Sequence, residues 1–362
     1  MDIRTPDAKP AIALAMGDPA GISPELTAKI VGLAEVHSMT RLIVVGDRRV
    51  FDEEMRVAGV KTDVKTVAGD AFAEPCNGKP IFVDLANLDP ASIRRGIAAR
   101  QGGQFALENY RYTLELARDR RVDAVCFTPF NKKAMRLARP SYDDEIAFSA
   151  EVVGLESPAS EFNILDKLWN ARVTSHIPLA EVAARLTKER ISRALKLTDA
   201  CMRSAGFPCP RIAVAGLNPH AGDGGNFGRE EIDVIAPVVE VGKREGIFVE
   251  GPFPADTVFL RAKGGAFDAV LTMYHDQGQI AMKLMGFDRG VTLLGGFPFP
   301  ICTPAHGTAY DIAGQGIASV GAIRAALLLA ADMAMRRRRL AYASGASERT
   351  PGATAERGRV KQ

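Results

Sequence analysis

The sequence predicts an α/β fold that has a largely parallel sheet and two domains. Short apolar runs alternate with longer segments of helical pattern, which is typical of parallel-sheet proteins. The length of 362 residues suggests two domains or one large α/β unit. The composition, 47% hydrophobic and 25% charged, is that of a globular protein with a large core.

The predicted strands are short apolar runs. They cover residues 11–15, 41–45, 81–85, 124–127, 171–174, 211–215 and 269–273. Segments of helix length lie between several of them. These cover residues 103–119, 179–204 and 230–245, and a packed helix is predicted over 322–335.

Composition and charge exclude several classes of protein. The net charge of +3 is small, and much of the excess lies in a polar tail from about residue 338 to 362 that is predicted to be disordered. This tail has no interleaved aromatic residues, so we expect no nucleic-acid partner. Five cysteines without a C-x-x-C pair indicate reduced thiols and a cytoplasmic protein. No signal core and no apolar run of roughly 18 residues is present, so no membrane association is expected.

Polar motifs follow the predicted strands, where open α/β sheets bind their ligands. Three of the five histidines, His176, His220 and His275, stand just beyond a strand. A lone histidine in such a place is more often structural, but three equivalent placements indicate a site for a divalent ion such as Zn, Mg, Mn or Co. Their wide spacing is no metal signature by itself, so coincidence stays open as an alternative.

Four further residues are candidates, and three of them have two interpretations each. Asp256 either supports the metal site or caps the next helix. Asp276 orients His275 or acts as a base, and capping is its equal alternative. Lys283 is either a substrate clamp or a solvated helix lysine. Lys132 follows a strand in the motif Pro129-Phe130-Asn131-Lys132.

The stretch from His306 to Gly316 is the candidate nucleotide site. It is interpreted as a loop that enters an apolar helix, and small residues at such a helix start can receive phosphate or adenine-ribose. The candidate residues are His306, Gly307, Thr308, Ala309, Asp311 and Gly314. No G-x-G-x-x-G follows the first strand, which disfavours an ordinary Rossmann site.

These motifs, taken in order, resemble the 4-hydroxythreonine-4-phosphate dehydrogenase family of the pyridoxal phosphate pathway. The matching segments begin at Gly17, Pro129, Asn218, Pro254, Tyr274 and His306, and the resemblance covers roughly residues 11–335. The loop at 306–316 also resembles the adenosine-binding loop of the isocitrate and isopropylmalate dehydrogenases.

The resemblance implies a two-domain α/β/α fold like that of the isocitrate and isopropylmalate dehydrogenases. The first domain would comprise residues 1–138 and 305–337, and the second residues 139–304. It also implies a homodimer with the site at its interface, where His176, His220 and His275 from both chains hold the metal. NAD or NADP would bind near 306–316, and a secondary alcohol of a small hydroxy acid would be oxidised before the product loses carbon dioxide. Lys132, Asp256, Asp276 and Lys283 would be the catalytic residues.

The substrate end departs from the family. Tyr142-Asp143-Asp144-Glu145 stands where the family has Gly-His-Thr-Glu, and Thr292 and Ile301 stand near positions that are Asn and Arg. We expect Asp143, Asp144, Lys283 and Thr292 to face the substrate. Two acids and a neutral residue suit a phosphate poorly.

A phosphate ester is therefore expected to be a poor substrate unless another cation, such as Arg136 or Arg139, replaces the lost one. The alternative is a dehydrogenase of cis-dihydrodiol carboxylates, like the terephthalate dihydrodiol enzyme. A non-catalytic metal- or nucleotide-binding protein is less favoured, because both motifs persist.

Overall fold

A single mixed sheet of twelve strands runs through the computed structural model, which describes residues 8–69 and 78–343. In chain order the strands are β1 (Ala11–Ala15), β2 (Arg41–Gly46), β3 (Lys65–Ala68), β4 (Ile81–Asp84), β5 (Ala124–Phe127), β6 (Ser160–Leu165), β7 (Leu168–Arg172), β8 (Ile212–Ala215), β9 (Val249–Phe253), β10 (Ala269–Thr272), β11 (Val291–Gly295) and β12 (Ile301–Pro304). Across the sheet their order is β3-β4-β2-β1-β5-β12-β11-β6-β7-β10-β8-β9.

Helices cover both faces of this sheet. They are α1 (Ser23–Val31), α2 (Ala34–Met39), α3 (Arg48–Val57), α4 (Arg100–Arg118), α5 (Lys132–Ala138), α6 (Glu145–Val153), α7 (Val182–Arg185), α8 (Lys188–Ser204), α9 (Ala236–Arg244), α10 (Ala255–Lys263), α11 (His275–Gly286) and α12 (Gly321–Ala343). None of the helices in the described ranges is long and apolar enough to cross a bilayer.

The predicted α/β class is confirmed, while several element bounds differ. The run predicted at 171–174 belongs to β7, which begins earlier and carries polar residues that obscured its start. The helix predicted over 179–204 breaks at Thr187, whose side chain accepts a hydrogen bond from the amide of Arg190 and so starts α8. The helix predicted over 230–245 opens with a π-helical turn, Glu231–Ile235, before α9.

The sheet reverses direction in its middle. β1, β2, β4, β5 and β12 run parallel to one another, and so do β7, β10, β8 and β9. Between them, β11 is antiparallel to both of its neighbours, and β6 turns back into β7 through the two-residue turn at 166–167. The two parallel groups therefore run in opposite directions, and their carboxyl ends lie at opposite edges of the sheet.

The predicted domain division follows these two groups, and it stays a prediction. β12, just before the expected boundary at 305, pairs with both β5 and β11 and so joins the groups. The tail prediction needs a correction, because α12 continues through Ala343 rather than ending before residue 338. Arg338 holds this end of the helix by donating from Nε to Asp123 at 2.9 Å and from Nη1 to the carbonyl of Ala8 at 3.0 Å. Residues 344–362 lie outside the described part of the chain.

One face of the sheet has an interrupted apolar cover. Over β1, β5 and β12 it packs against α4 and α6 through Tyr110 and Phe148. Over β7, β8 and β10 it packs against α10 and α11 through Phe259 and Met282. Between these clusters, on β6 and β11, polar side chains replace the apolar ones, and the gap forms a cleft.

Candidate active site

Two of the three predicted metal ligands lie side by side. His176 follows β7, and His275 is the first residue of α11, directly after β10. Because β7 and β10 are parallel neighbours, both histidines leave the sheet at the same edge. Their ring centres are 5.6 Å apart. Two imidazoles bound to one tetrahedral ion, with metal–nitrogen bonds of about 2.1 Å, have centres about 5.3 Å apart. This pair therefore fits a shared metal ion.

The third predicted ligand is not part of this pair. His220 follows β8, the other neighbour of β10, and its ring lies 6.2 Å from that of Phe227. No group of three His, Cys, Asp or Glu side chains within residues 8–69 and 78–343 is placed to hold a metal. One chain thus brings together His176 and His275. That His220 binds the same metal ion stays a prediction, and it would require the His220 of a second chain.

The His220 loop has an unusual backbone. His220 through Gly224 all have positive φ, with values of 53, 53, 84, 45 and 65°. Such residues are uncommon when they are not glycine and persist only where the surroundings fix them. Buried Glu231 does so: its carboxylate accepts from the amides of Leu217 and Asn218, both at 2.7 Å. The loop is held in a fixed shape that leaves His220 exposed.

The two candidate acids at the histidine edge of the sheet have different surroundings. Asp276 accepts a hydrogen bond from, or forms an ion pair with, Nδ1 of His275 at 2.7 Å. This contact orients the imidazole and leaves its Nε2 for a ligand, as outer carboxylates do at metal sites. Asp256 is exposed in the first turn of α10, whose capping position is Pro254. Asp256 is therefore not the capping residue of α10, and its capping interpretation is wrong.

The segment at 131–145 has structural contacts that the sequence did not reveal. Asn131 caps α5, and the next residue, Lys132, lies 3.3 Å from Glu145. Asp144 caps α6 by accepting from the amide of Ala147 at 2.8 Å. Asp144 thus stabilises a helix whatever it does to substrate, while Asp143 is exposed.

The two arginines considered as replacement cations are engaged elsewhere. Arg136 donates to the carbonyls of Tyr142 and Asp143, both at 3.2 Å. Arg139 pairs with Glu151 at 2.6 Å. Both hold the segment in place, which weighs against a role in binding substrate.

Lys283 and Thr292 both lie at the cleft. Lys283 is on α11, about two turns after His275, and lines the cleft with Asn163 and Ala305. Thr292 on β11 accepts a hydrogen bond from Nδ2 of Asn163 at 3.2 Å. Ile301 is fully buried on β12 and supplies no charge.

The loop at 306–316 lies at the opposite sheet edge and packs onto the loop after β1. The amide of Ile22 donates to the carbonyl of Thr308 at 3.0 Å. A Cβ on Gly21 would lie 2.5 Å from that same oxygen, so only glycine fits there. Tyr310 donates its hydroxyl to Asp18, and burial raises the pKa of both groups. The loop after β1 is buried and supports the 306–316 loop rather than offering a phosphate site itself.

A buried charge pair holds the far end of the same loop. Glu25 accepts from the amides of Gly316 at 3.2 Å and Ala318 at 2.7 Å. Lys29 pairs with Glu25 at 2.8 Å and donates to the carbonyls of Gly316 and Ala318 at 2.9 and 2.8 Å. The sequence did not indicate these two residues, because an i,i+4 pair usually lies on an exposed helix face.

The candidate nucleotide residues therefore lie on a fixed support. Gly307 and Asp311 are exposed on it, whereas His306, Ala309 and Gly314 are half-buried and Thr308 is buried. One expectation needs correcting: the loop does not enter the helix directly. A 3₁₀ turn, Tyr310–Ile312, and several further residues precede the start of α12 at Gly321.

The fold and these two sites define an α/β enzyme class, and comparison with known proteins identifies the family. The family model described as pyridoxal phosphate biosynthetic protein PdxA matches residues 38–330. The chain belongs to this family of dehydrogenases, and the resemblance to 4-hydroxythreonine-4-phosphate dehydrogenases is confirmed.

Individual relatives agree with this assignment. The chain is 60% identical over 340 residues to "Putative 4-hydroxythreonine-4-phosphate dehydrogenase 2" of Rhizobium meliloti, covering 94% of this chain and 98% of the relative. It is 37% identical over 333 residues to "Putative D-threonate 4-phosphate dehydrogenase" of Symbiobacterium thermophilum, covering 92% and 99%.

Two solved structures are similar along almost their whole length. The 4-hydroxythreonine-4-phosphate dehydrogenase of Klebsiella pneumoniae superposes with a TM-score of 0.78 at 34% identity, covering 90% of this chain and 98% of that one. The terephthalate 1,2-cis-dihydrodiol dehydrogenase of Burkholderia xenovorans gives 0.61 at 28% identity, with 90% and 98% covered.

Proposed function

We propose that this protein is a metal-dependent, NAD(P)-linked dehydrogenase that oxidises a secondary alcohol of a phosphorylated hydroxy acid and releases carbon dioxide from the product. Helix α11 is the observation that carries the proposal. It begins with His275, paired with His176 at a spacing that suits one metal ion. About two turns later the same helix directs Lys283 into the cleft.

The residues of this chain have separate tasks in such a reaction. His176 and His275 would hold the divalent ion, which would supply Lewis-acid chemistry for the alcohol oxidation and the decarboxylation. Asp276 keeps His275 in the orientation that leaves Nε2 available. Lys283 would bind an acidic group of the substrate as a point charge. The 306–316 loop, which Glu25 and Lys29 hold in place, would bind the adenosine part of NAD(P), and the bound cofactor would supply the hydride acceptor.

Lys132 and Asp256 complete the proposed catalytic set. Lys132 is half-buried, and its ion pair with Glu145 is long, at 3.3 Å. This leaves its ammonium group able to donate to a substrate oxygen. Asp256 follows β9, next to β8, at the histidine edge of the sheet. It would support the metal site from there.

We further propose that the site is completed by a second copy of the chain. The proposal is supported by the absence of His220 from the pair and by apolar side chains left exposed on the outer surface of α11. Ile280 is 60% and Leu284 84% exposed, on the helix that carries both His275 and Lys283. Exposed apolar patches of this kind mark association surfaces.

Mixing two inactive variants tests this shared site. If His220 serves the partner's site, a heterodimer of His220→Ala and His275→Ala contains one intact site. Random mixing would then restore about a quarter of wild-type activity. Recovery of no activity in verified heterodimers would place all three histidines in one chain or outside the site.

The substrate class proposed first is the 4-phosphate of a four-carbon hydroxy acid. Relatives at 60% and 37% identity are named for 4-hydroxythreonine-4-phosphate and D-threonate 4-phosphate. This choice departs from the expectation drawn from Asp143, Asp144 and Ile301. The second candidate is a cis-dihydrodiol carboxylate, favoured by the apolar side chain of Ile301 on the sheet face that forms the cleft floor.

Measurement of NADH formation tests the proposal. Purified protein with NAD or NADP and one divalent ion at a time is offered 4-phosphohydroxy-L-threonine, D-threonate 4-phosphate and a terephthalate dihydrodiol. Metal-dependent turnover of a phosphate ester, with release of carbon dioxide, is expected. Turnover of the dihydrodiol alone would favour the second candidate, and NADH formation unaffected by a chelator would contradict the metal site.

A further inference from the structure

Beside the cleft that Asn163 and Lys283 line, the sheet has a row of charged and polar side chains. Register places Leu294 opposite Glu161 and Arg172 opposite Thr272, and Glu161 faces Arg172 across the β6–β7 hairpin. The neighbouring row contains Thr292 and Asn163. Paired residues of adjacent strands point to the same face. All of these side chains therefore emerge on the face that α11 and α6 cover on either side.

Arg172 is the least satisfied charge in this row. Its side chain is only 1% exposed, and its Nη2 forms an ion pair with Glu161 at 2.9 Å. Within residues 8–69 and 78–343, buried Nε and Nη1 have no hydrogen-bond partner, and neither has Oδ1 of Asn163. The guanidinium has five N–H groups, of which Nε carries one and Nη1 two. Three donors and a nearby acceptor are thus left without partners in the apolar interior.

A purely structural ion pair would not leave these groups unsatisfied. Buried ion pairs offset the cost of desolvation only when the remaining N–H groups are also hydrogen-bonded. Burial lowers the pKa of Arg172, although Glu161 opposes the change, so the cation is held in surroundings that favour a further anion. A hydroxy acid carries both kinds of partner that these side chains lack. Its oxyanion oxygens accept from a guanidinium, and its hydroxyl donates to an amide oxygen.

We propose that Arg172 is a substrate-binding residue of the cleft, whose unpaired N–H groups receive an oxyanion of the substrate, either its carboxylate or its phosphate. Asn163 accepts from the substrate hydroxyl beside it. This inference rests on the proposed function and deepens it, because it names the cation that fixes the acidic substrate from the sheet while Lys283 acts from α11. Arg136 and Arg139, the replacement cations predicted from the sequence, instead bind backbone carbonyls and Glu151.

Binding measurements on the metal-loaded, full-length protein test the assignment. Calorimetry gives the Kd of three probes: 4-phosphohydroxy-L-threonine, 4-hydroxy-L-threonine and inorganic phosphate. Charge-assisted bonds to a buried group imply a rise in Kd of about 10- to 100-fold for Arg172→Met, with partial recovery for Arg172→Lys. The Kd for NAD should stay unchanged. Arg211→Met is the matched control, because Arg211 is half exposed and its ion pair with Asp268 lies away from the cleft.

The pattern across the probes identifies the oxyanion. Loss of affinity for both threonine compounds but not for inorganic phosphate assigns Arg172 to the carboxylate. Loss for the ester and inorganic phosphate, with 4-hydroxy-L-threonine unaffected, assigns it to the phosphate. Arg172→Met leaves the carboxylate of Glu161 without its cation, which can impair folding. In that case the double variant Arg172→Met/Glu161→Gln, which also removes this carboxylate, is used for the same Kd measurements. Wild-type affinity for all probes in a folded variant would overturn this proposal alone, whereas wild-type protein that binds none of them would overturn the proposed function as well.

Discussion

The nucleotide loop at one sheet edge and the histidine loops at the other are constructed in opposite ways. The 306–316 loop rests on buried groups of its own chain: Asp18 and Tyr310 at one end, Glu25 and Lys29 at the other. At the histidine edge, His176 and His220 are exposed, and of the three histidines only His275 has an orienting carboxylate, Asp276, among the residues that the structure describes.

This difference indicates which of the two candidate sites can be formed by a single chain. The support beneath the candidate nucleotide loop is formed within the chain, where Glu25 and Lys29 hold backbone groups of the loop. At the other edge, the proposed metal site has two histidines at a suitable spacing, and His220 lies exposed on a fixed loop. Under the proposed function, a second chain is therefore needed at the histidine edge and not at the nucleotide edge, so variants can disturb each edge separately.

Replacement of a metal ligand should have the largest effect. His275→Ala or His176→Ala should remove most bound metal and lower kcat/KM by more than about 100-fold, because loss of even an outer, orienting group costs 10- to 100-fold. Metal content by atomic emission and thermal unfolding would be measured together. His37→Ala, on α2, is the control and should retain its metal. Stoichiometric metal in His275→Ala would remove this histidine from the site.

The support beneath the nucleotide loop should contribute chiefly to stability. Lys29→Met leaves Glu25 buried without its cation and removes two bonds to loop carbonyls. A loss of about 2–4 kcal/mol in the free energy of unfolding is expected. Lys196→Met, whose pair with Glu245 is exposed, should lose at most about 1 kcal/mol. Equal losses in urea unfolding would show that Lys29 does not hold the loop.

The fold class and the strand-end motifs were predictable from the sequence, because apolar runs and turn residues are local signals. The reversal of the sheet was not, since β6 and β7 carry Glu161, Asn163, Asn170 and Arg172 on one face and do not look like core strands. The histidines were found as residues that follow strands. The buried charges of Glu25 and Arg172, and half-buried Lys29, could not be predicted, because burial of a charged residue depends on tertiary packing and leaves no local pattern.

The orienting role of Asp276 gives an intermediate effect. Asp276→Asn keeps the size of the side chain but weakens its hold on Nδ1 of His275. Metal affinity should fall about 10- to 100-fold without a change in fold. Titration with a metal-competing dye would measure it. An unchanged affinity would mean that the contact between Asp276 and His275 is incidental.

Obstruction of the candidate nucleotide loop should weaken binding of the cofactor and leave substrate binding unchanged. A Cβ on Gly307 meets no atom of the described part of the chain within 4 Å, so Gly307→Trp is compatible with the fold and projects a large ring over the loop. The KM for NAD should rise at least about tenfold, which is ~1.4 kcal/mol, while the KM for the hydroxy acid changes little. The reverse pattern in steady-state kinetics would rule out nucleotide binding at 306–316.

The last and smallest effect concerns Asp18, the buried acid beneath the loop. Its pKa is raised by burial above the ordinary value of 3.8, against the opposing hydrogen bonds from Tyr310 and the amide of Ala20. The folded state therefore holds the proton more tightly than the unfolded chain does. The contribution of Asp18 to stability should be greatest below the unfolded pKa and should fall as pH rises through the folded pKa. Asp18→Asn cannot titrate, and its amide can accept from the amide of Ala20 through Oδ1 and donate to the hydroxyl of Tyr310 through Nδ2. The variant should therefore gain stability relative to wild type between acid and neutral pH. Urea unfolding of both proteins at pH 4 and pH 8 would measure the difference, with the exposed Asp119→Asn as control. A difference that is independent of pH would show that Asp18 is ionised equally in both states, and that its bond with Tyr310 offsets the whole cost of burial.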